Sequence, residues 1–154
     1  MDAIAAASVV LTYVLPHLGG VGGDFLALVH RGGRIEAVVS FGRAPKGVPK
    51  RPPRRGLQSA VVPGYVAGLY ELHRRHGSLP WGRVVDTALE AMEKATMHPS
   101  LVSAIEKSRD LLAAEGLDIS RLASETRRPL PYRAASKAVE KAERQPAFFL
   151  RRSG

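Results

Sequence analysis

The sequence predicts a mixed α/β (α+β) fold that combines one antiparallel hairpin with several helices. Two runs rich in β-branched and aromatic residues, 25–30 and 35–41, flank the turn Arg31-Gly32-Gly33-Arg34, which is the pattern of a β-hairpin. Apolar residues at helical spacing precede and follow these two strands. The 154 residues, 45% apolar and 24% charged, are typical of one globular domain over residues 1–154.

The first predicted helix spans Ala3–Val14 and is apolar almost all round, which is typical of a helix covered on most sides. Asp2 occupies a position where a signal peptide would carry a basic residue, and the apolar run is shorter than the roughly 20 residues needed to span a bilayer. We therefore expect a cytoplasmic protein with no membrane association. The absence of cysteine excludes disulfides, thiol catalysis and cysteine-ligated metals.

The second element is a glycine-rich loop at positions 19–23, which follows Pro16. We interpret this loop as one that only glycine permits. A phosphate cradle is the functional alternative, but the loop lacks the lysine and serine or threonine of a P-loop. Close backbone packing or an unusual turn is favoured.

The second strand leads into Gly42-Arg43-Ala44-Pro45, so a glycine places Arg43 at a strand end. From this pattern alone, a surface arginine without a task is the favoured interpretation. The loop 46–56 follows, with three prolines and five basic residues in eleven positions. It could bind phosphate or acidic groups, but no aromatic residue alternates with the cations to stack on bases, so a solvated loop is favoured.

The stretch Val61–Trp81 predicts a strand, a tight turn with Pro63 in the first helical turn, and a helix that ends at a left-handed Gly77. Ser78 is the expected cap of the following helix. The apolar stripe of the first helix is Val66, Leu69, Tyr70 and His73. His73 and His76 have a spacing that metal ligands can use, but packing and a helix-dipole contact are favoured, and no metal site is predicted.

Further helices are predicted after Trp81. One runs to about Ala95 with an inner face of Trp81, Val85, Ala88, Leu89 and Met92, and another begins at Pro99-Ser100 and ends at Gly116. A polar connection at 117–131, a weaker helix at 132–143 and a short apolar run at 147–150 complete the chain.

Several of these motifs together resemble the large subunit of the γ-glutamyltransferases (γ-glutamyltranspeptidases). The segment VPGYVAGLYELHRRHGSLPW is similar to that family's V-P-G turn, G-L helix and G-x-L-P-W step. Residues 16–25 resemble its P-x-x-x-G-x-G-G-x-F loop, and Gly42-Arg43-Ala44-Pro45 looks like the G-R-A-P form of its acylase-like branch. The resemblance covers residues 2–115 well and 129–154 loosely.

The resemblance implies a partial N-terminal nucleophile hydrolase core with αββα layers. In that family a threonine, exposed by self-cleavage, attacks the γ-glutamyl amide, and backbone amides of a glycine pair stabilise the oxyanion. An arginine of the large subunit holds the substrate α-carboxylate, and Arg43 is the matching residue here. The catalytic threonine and the glycine pair have no match in this chain. We therefore expect no catalytic residue in it, and no activity unless a partner completes the site.

Three functions remain open at this stage. The first is a γ-glutamyltransferase-like large-subunit fragment, completed by a separate small-subunit-like chain and binding a γ-glutamyl compound through Arg43. The second is a noncatalytic oligomer that retains the fold core, since unpaired strand edges favour self-association. The third is a nucleic-acid-binding module, which the net charge of +9 permits but which ranks well behind the others. No cofactor or metal is predicted for any of them.

Overall fold

The computed structural model describes residues 1–55, 59–114 and 116. The predicted mixed fold is confirmed. The elements follow the order α1 (Asp2–Val14), β1 (Phe25–Arg31), β2 (Arg34–Ser40), α2 (Tyr65–His76), α3 (Trp81–Glu93), α4 (Pro99–Lys107) and α5 (Arg109–Ala114).

The two strands form an antiparallel hairpin, as the sequence predicted. Its register runs from the pair Phe25–Ser40 to the pair Arg31–Arg34. Gly32 and Gly33 form the turn with φ of 58° and 75°. Positive φ at both central residues belongs to the two-residue turn whose twist matches that of the strands, which explains why glycine occupies both positions.

One face of the hairpin packs against α2, while α1 lies against α3. Alternation along the strands directs Phe25 and Val38 into the core. The ring of Phe25 meets that of Tyr65 edge to face, with 5.6 Å between centroids. The buried cluster comprises Ala5, Phe25, Val38, Leu69, Leu72, Trp81, Val84, Val85, Leu89 and Met92. The predicted inner face of the helix that begins at Trp81 is thus buried.

The opposite face of the hairpin is apolar and open to solvent. Leu26, Leu28 and Ile35 point outward with relative exposures of 64%, 77% and 74%. Together with the neighbouring Ala37 and Val39 they form the outer hairpin face.

Helix α1 is covered on one face only, in contrast to the expected cover on most sides. Its buried residues are Ala5 and Thr12, whereas Ile4 and Leu11 are exposed. The apolar composition of this helix therefore did not predict which of its residues are buried within the described chain. None of the described helices combines the length and hydropathy that a membrane span requires.

The ends of α2 differ from the prediction. Pro63 precedes the N-cap Gly64 and does not lie in the first helical turn. Gly77 has φ −78° and ψ 159°, so the expected left-handed stop is wrong. Glycine is required at position 77 for a steric reason, because a β-carbon there would collide with the ring of His73. Ser78 does not cap α3, whose N-cap is Pro80.

The predicted helix from Pro99 to Gly116 is divided at Ser108 into α4 and α5. His98 caps α4, since its Nδ1 accepts a hydrogen bond from the Ser100 amide at 3.2 Å. Gly116 has φ 76°, as expected for a left-handed stop. The predicted connection at 117–131, the helix at 132–143 and the apolar run at 147–150 lie outside the described residues.

Close packing between α2 and β1 depends on the missing side chain of Gly68. A β-carbon there would lie 2.6–2.8 Å from atoms of the Phe25 side chain. We expect Gly68→Ala to lower the free energy of unfolding by about 1–3 kcal/mol, because overlap in a packed core outweighs the helix propensity gained. Urea-induced unfolding measures the change.

Gly82→Ala is the matched control, because Gly82 lies near the start of α3 with open space around it. Alanine there should stabilise the protein by up to about 1 kcal/mol. Equal effects of the two substitutions would contradict the steric role of Gly68.

Candidate functional site

Three segments that are distant in sequence meet where β2 ends and α2 begins. They are the end of the glycine loop with Asp24 (22–24), the end of the second strand with Arg43 (40–43), and the turn before α2 (61–65). We refer to this meeting point as the Arg43 junction.

The Gly23 carbonyl joins the glycine loop to the start of α2. It accepts hydrogen bonds from the amides of Gly64 at 3.2 Å and Tyr65 at 3.0 Å. The first amides of a helix lack partners within the helix, and the N-cap Gly64 has no side chain to serve them. The loop backbone therefore does what a capping side chain does elsewhere, and it fixes the position of α2 relative to β1.

Two side chains connect the strand end to its neighbours. The carboxylate Oδ1 of Asp24 accepts a hydrogen bond from the Gly42 amide at 2.7 Å. The buried hydroxyl of Ser40 donates to the Gly64 carbonyl at 2.8 Å. The residue before Arg43 is thus bonded to the start of β1, while the last residue of β2 is bonded to the cap of α2.

Two glycines of the junction are required by close packing. A β-carbon on Gly64 would collide with the backbone of Ser40 and Phe41, and one on Gly42 would collide with the Val61 side chain. Backbone cannot move aside as the end of a flexible side chain can. Larger residues at Gly64 would therefore push β2 away from α2.

The glycine loop does not contain the left-handed backbone conformations that would require glycine. Gly19, Gly20, Gly22 and Gly23 are absent from the residues with positive φ, so the expectation of a loop that only glycine permits is wrong for backbone conformation. Gly20 does pack tightly, since a β-carbon would lie 3.1 Å from the Pro16 carbonyl oxygen. A β-carbon on Gly19 or Gly22 would meet open space within the described chain.

Arg43, the predicted substrate-binding residue, lies at the strand end where the sequence placed it. Its backbone forms an isolated antiparallel bridge with Val62, with N–O distances of 3.0 and 2.7 Å. The residue is exposed, and its bridge closes the base of the basic loop. Its carboxylate-binding role stays a prediction. The geometry provides an exposed arginine on a backbone that is held on both sides.

A network of ion pairs holds β2 against α2. Arg75 lies between Glu36 of β2 and Glu71 of α2, and donates to both carboxylates. Arg74 adds two hydrogen bonds to Glu71, at 2.7 and 2.6 Å. His76, the predicted helix-dipole partner, approaches Glu36 of β2 to 3.2 Å without the geometry of a hydrogen bond.

These contacts lower the pKa of both carboxyl groups. The hydrogen bonds from Arg74 and then Arg75 lower the pKa of Glu71 below its ordinary 4.5, and the hydrogen bond from Arg75 lowers that of Glu36. Hydrogen bonds to the ionised form favour that form. Both carboxylates of the network are therefore ionised near neutral pH.

The N-terminal end of α1 is held by a second polar cluster. Asp2 Oδ1 accepts hydrogen bonds from the Ser78 amide at 2.9 Å and the Leu79 amide at 3.3 Å, and lies 2.9 Å from Nε2 of His73. The bond from Ser78 is the main cause of the lowered pKa of Asp2. His73 and His76 thus contact different carboxylates and do not converge on one site.

Sequence reasoning proposed Arg43 as a site residue but did not identify the residues that hold its backbone. Asp24 was an unspecified position within the glycine-loop motif, and Ser40 was an ordinary strand residue. A signal for Asp24 existed, since an aspartate directly before a strand and after glycines can accept backbone hydrogen bonds. Its partner Gly42 lies 18 positions away, and no local pattern reports such a pairing.

Comparison with known families gives a match over most of the chain. A sequence profile described as Gamma-glutamyltranspeptidase matches residues 1–141. The chain is 37% identical over 92 residues to glutathione hydrolase 7 of Rattus norvegicus, covering 55% of this chain and 14% of that protein. It is 34% identical over 128 residues to glutathione hydrolase 2 of Arabidopsis thaliana, covering 76% and 22%. It thus spans less than a quarter of these relatives.

Solved structures give the same fold. The gamma-glutamyltranspeptidase of Pseudomonas nitroreducens complexed with L-DON is similar with a TM-score of 0.70 at 20% identity, over 93% of this chain and 47% of that chain. The transpeptidase CapD of Bacillus anthracis follows with a TM-score of 0.66 at 22% identity, over 93% and 49%. The described chain therefore shares part of the fold of these two proteins, and the predicted mixed α/β fold is confirmed.

The ion network gives a prediction for the pH dependence of stability. Because the folded-state pKa of Glu71 is lowered, its contribution is complete above 4.5 and is lost as pH falls through the folded-state pKa. We expect Glu71→Gln to lower the free energy of unfolding by about 1–3 kcal/mol at neutral pH, since its side chain accepts several hydrogen bonds from cations.

Urea-induced unfolding at neutral pH and well below pH 4.5 measures this free energy. The difference in free energy of unfolding between Glu71→Gln and the wild type should be smaller in acid. The control is Glu90→Gln, because Glu90 is exposed on α3 and has no ion pair within the described residues. A loss that does not depend on pH would contradict the assignment.

Proposed function

The chain belongs to the γ-glutamyltranspeptidase family, and we propose that it supplies the large-subunit part of a γ-glutamyl amide hydrolase or transferase. In this proposal Arg43 binds the α-carboxylate of the γ-glutamyl group. The attacking threonine comes from a segment outside these 154 residues, in the same polypeptide or in a separate small-subunit-like chain.

The observation that carries the proposal is the convergence of three family-like motifs on one place. The glycine loop, the Gly42-Arg43 strand end and the turn before α2 are separated in sequence, yet hydrogen bonds join all three. Each motif could be explained singly by packing. Together they hold the backbone of one exposed arginine, which is what a fixed binding residue requires.

An arginine suits this task because its planar guanidinium donates two parallel hydrogen bonds to a carboxylate. Such a contact would orient the substrate with its γ-amide away from Arg43, toward the incoming hydroxyl. The hydroxyl would attack the amide carbon, the amine would leave, and water or an acceptor amine would then release the acyl group. This division assigns binding to the described chain and bond breaking to the added segment.

The first test of this function is Arg43→Ala in the protein assembled with the segment that carries the threonine. We expect kcat/KM for a γ-glutamyl anilide to fall by roughly 100-fold or more, because two charge-assisted hydrogen bonds are lost. Steady-state kinetics with the purified assembly measures the effect.

Arg43→Lys should recover part of the activity, since it keeps the charge but not the fork. Arg51→Ala, which removes an exposed arginine of the neighbouring basic loop, is the matched control and should leave kcat/KM nearly unchanged. Turnover that is indifferent to Arg43→Ala would remove the binding assignment.

A second candidate function, a noncatalytic oligomer, is favoured by the outer hairpin face. Leu26, Leu28 and Ile35 present an apolar surface on a two-stranded sheet. Open strand edges and exposed apolar faces promote association with another chain. The second candidate therefore places another copy of the chain on the outer hairpin face. The first places the threonine-bearing segment there, in the same polypeptide or in a separate small-subunit-like chain.

Leu28→Glu tests the association. We expect the dissociation constant of the assembly to rise by roughly 10-fold or more, because burying a leucine contributes about 1.5–3 kcal/mol. Analytical ultracentrifugation over a range of concentrations provides the measurement.

Leu79→Glu serves as control, because Leu79 is also exposed but lies in the turn between α2 and α3. Equal weakening by both substitutions would place the contact elsewhere. A wild-type chain that stays monomeric and does not bind a hydrophobic dye would contradict association through the outer hairpin face.

A further inference from the structure

The carboxylate of Asp24 is directed at backbone. Asp24 is an exposed residue, and such a carboxylate ordinarily remains hydrated. Here Oδ1 lies 2.7 Å from the Gly42 amide nitrogen, a distance typical of a charge-assisted hydrogen bond. The contact spans 18 positions and ends on the residue that precedes Arg43.

The position of this bond explains what it does to the chain. The strand ladder ends at the pair Phe25–Ser40, so Asp24 and Gly42 both lie just beyond the last paired residues. The side chain of Asp24 extends the connection between the two segments past the point where backbone pairing stops. Without it, the Gly42 amide would lose its hydrogen bond to the segment that precedes β1.

Arg43 is held from the other side by its two-bond bridge with Val62. The strand end therefore lies between the Asp24 carboxylate and the turn before α2. Gly42 fits between them because a β-carbon there would collide with Val61. The backbone of Arg43 is thus fixed by contacts on both flanks, one of which depends on a single side chain.

We propose that Asp24 is a positioning residue for Arg43: its carboxylate fixes the Gly42 backbone and so holds the guanidinium where a substrate carboxylate can bind. The effect on substrate binding rests on the function proposed for Arg43, while the effect on backbone does not. The role requires an acceptor oxygen rather than a negative charge. Asparagine at this position retains an acceptor oxygen, whereas alanine does not, so the pair Asp24→Asn and Asp24→Ala separates the two requirements.

The backbone test uses the isotope-labelled full chain and amide hydrogen exchange at Gly42. We expect Asp24→Ala to accelerate exchange at Gly42 by roughly tenfold or more, because the acceptor of the hydrogen bond from the Gly42 amide is lost. Asp24→Asn should stay within a few-fold of the wild type. Asp86→Ala, which removes an exposed aspartate of α3, should leave Gly42 unchanged.

A second measurement does not depend on the alanine variant folding. In the wild-type chain a scalar coupling across the hydrogen bond should join the Gly42 amide nitrogen to the carboxyl carbon of Asp24. A Gly42 amide that neither exchanges faster in Asp24→Ala nor shows this coupling in the wild type would overturn the proposal.

The functional arm uses the complete assembly with a γ-glutamyl anilide. We expect Asp24→Ala to raise KM by roughly tenfold with a smaller change in kcat, since binding is weakened before chemistry, and Asp24→Asn to restore KM. A normal KM with a released Gly42 amide would overturn the link to substrate binding. If instead Arg43→Ala leaves turnover unchanged while Gly42 responds to Asp24, the proposed function fails and the backbone role stands.

Discussion

The pair of hydrogen bonds at the Gly23 carbonyl is the constraint on which the rest of the structure depends. It serves two amides at the start of α2, and so it fixes where this helix begins relative to β1. Once that start is fixed, Gly68 falls one turn later against Phe25, and Arg75 falls beside Glu36 of β2. A shift of α2 by one residue would rotate these two contacts by about 100° and break both.

Helix α2 then connects β2 with the start of α1. Its last turn is bonded to β2 through Glu36 and Arg75, and its buried His73 lies 2.9 Å from Asp2 at the start of α1. The charges are arranged so that carboxylates from other elements meet the basic last turn of α2, where the helix dipole also favours cations. Packing on one face and ion pairs at one end therefore stabilise the same orientation.

Periodicity predicted the hairpin and the described helices, but not how they end, and the strand predicted before Pro63 is only an isolated bridge at Val62. The hairpin and the buried face of α3 follow from residues close in sequence, and both were predicted to within a residue or two. The ends depend on distant partners: the Ser78 amide bonds to Asp2, 76 positions away, and the N-cap of α3 is Pro80 rather than Ser78. Gly77 is required by the ring of His73 rather than by its own φ. Local patterns contain neither fact.

The candidate site was likewise predicted only in part from local sequence patterns. Gly42 placed Arg43 at a strand end, and the family resemblance rather than the pattern singled it out as a candidate. The carboxylate that holds Gly42 came from the unspecified position of a motif. The bonds to Asp24 and Val62 that hold this backbone arise within residues 24–62, so they require nothing from the rest of the family's fold. The Arg43 side chain, by contrast, lies at the surface of the described chain. In the function proposed for Arg43, an exposed side chain on an internally fixed backbone suits a site whose reacting group arrives on another segment. The two parts can then fold separately and meet with the binding geometry already set.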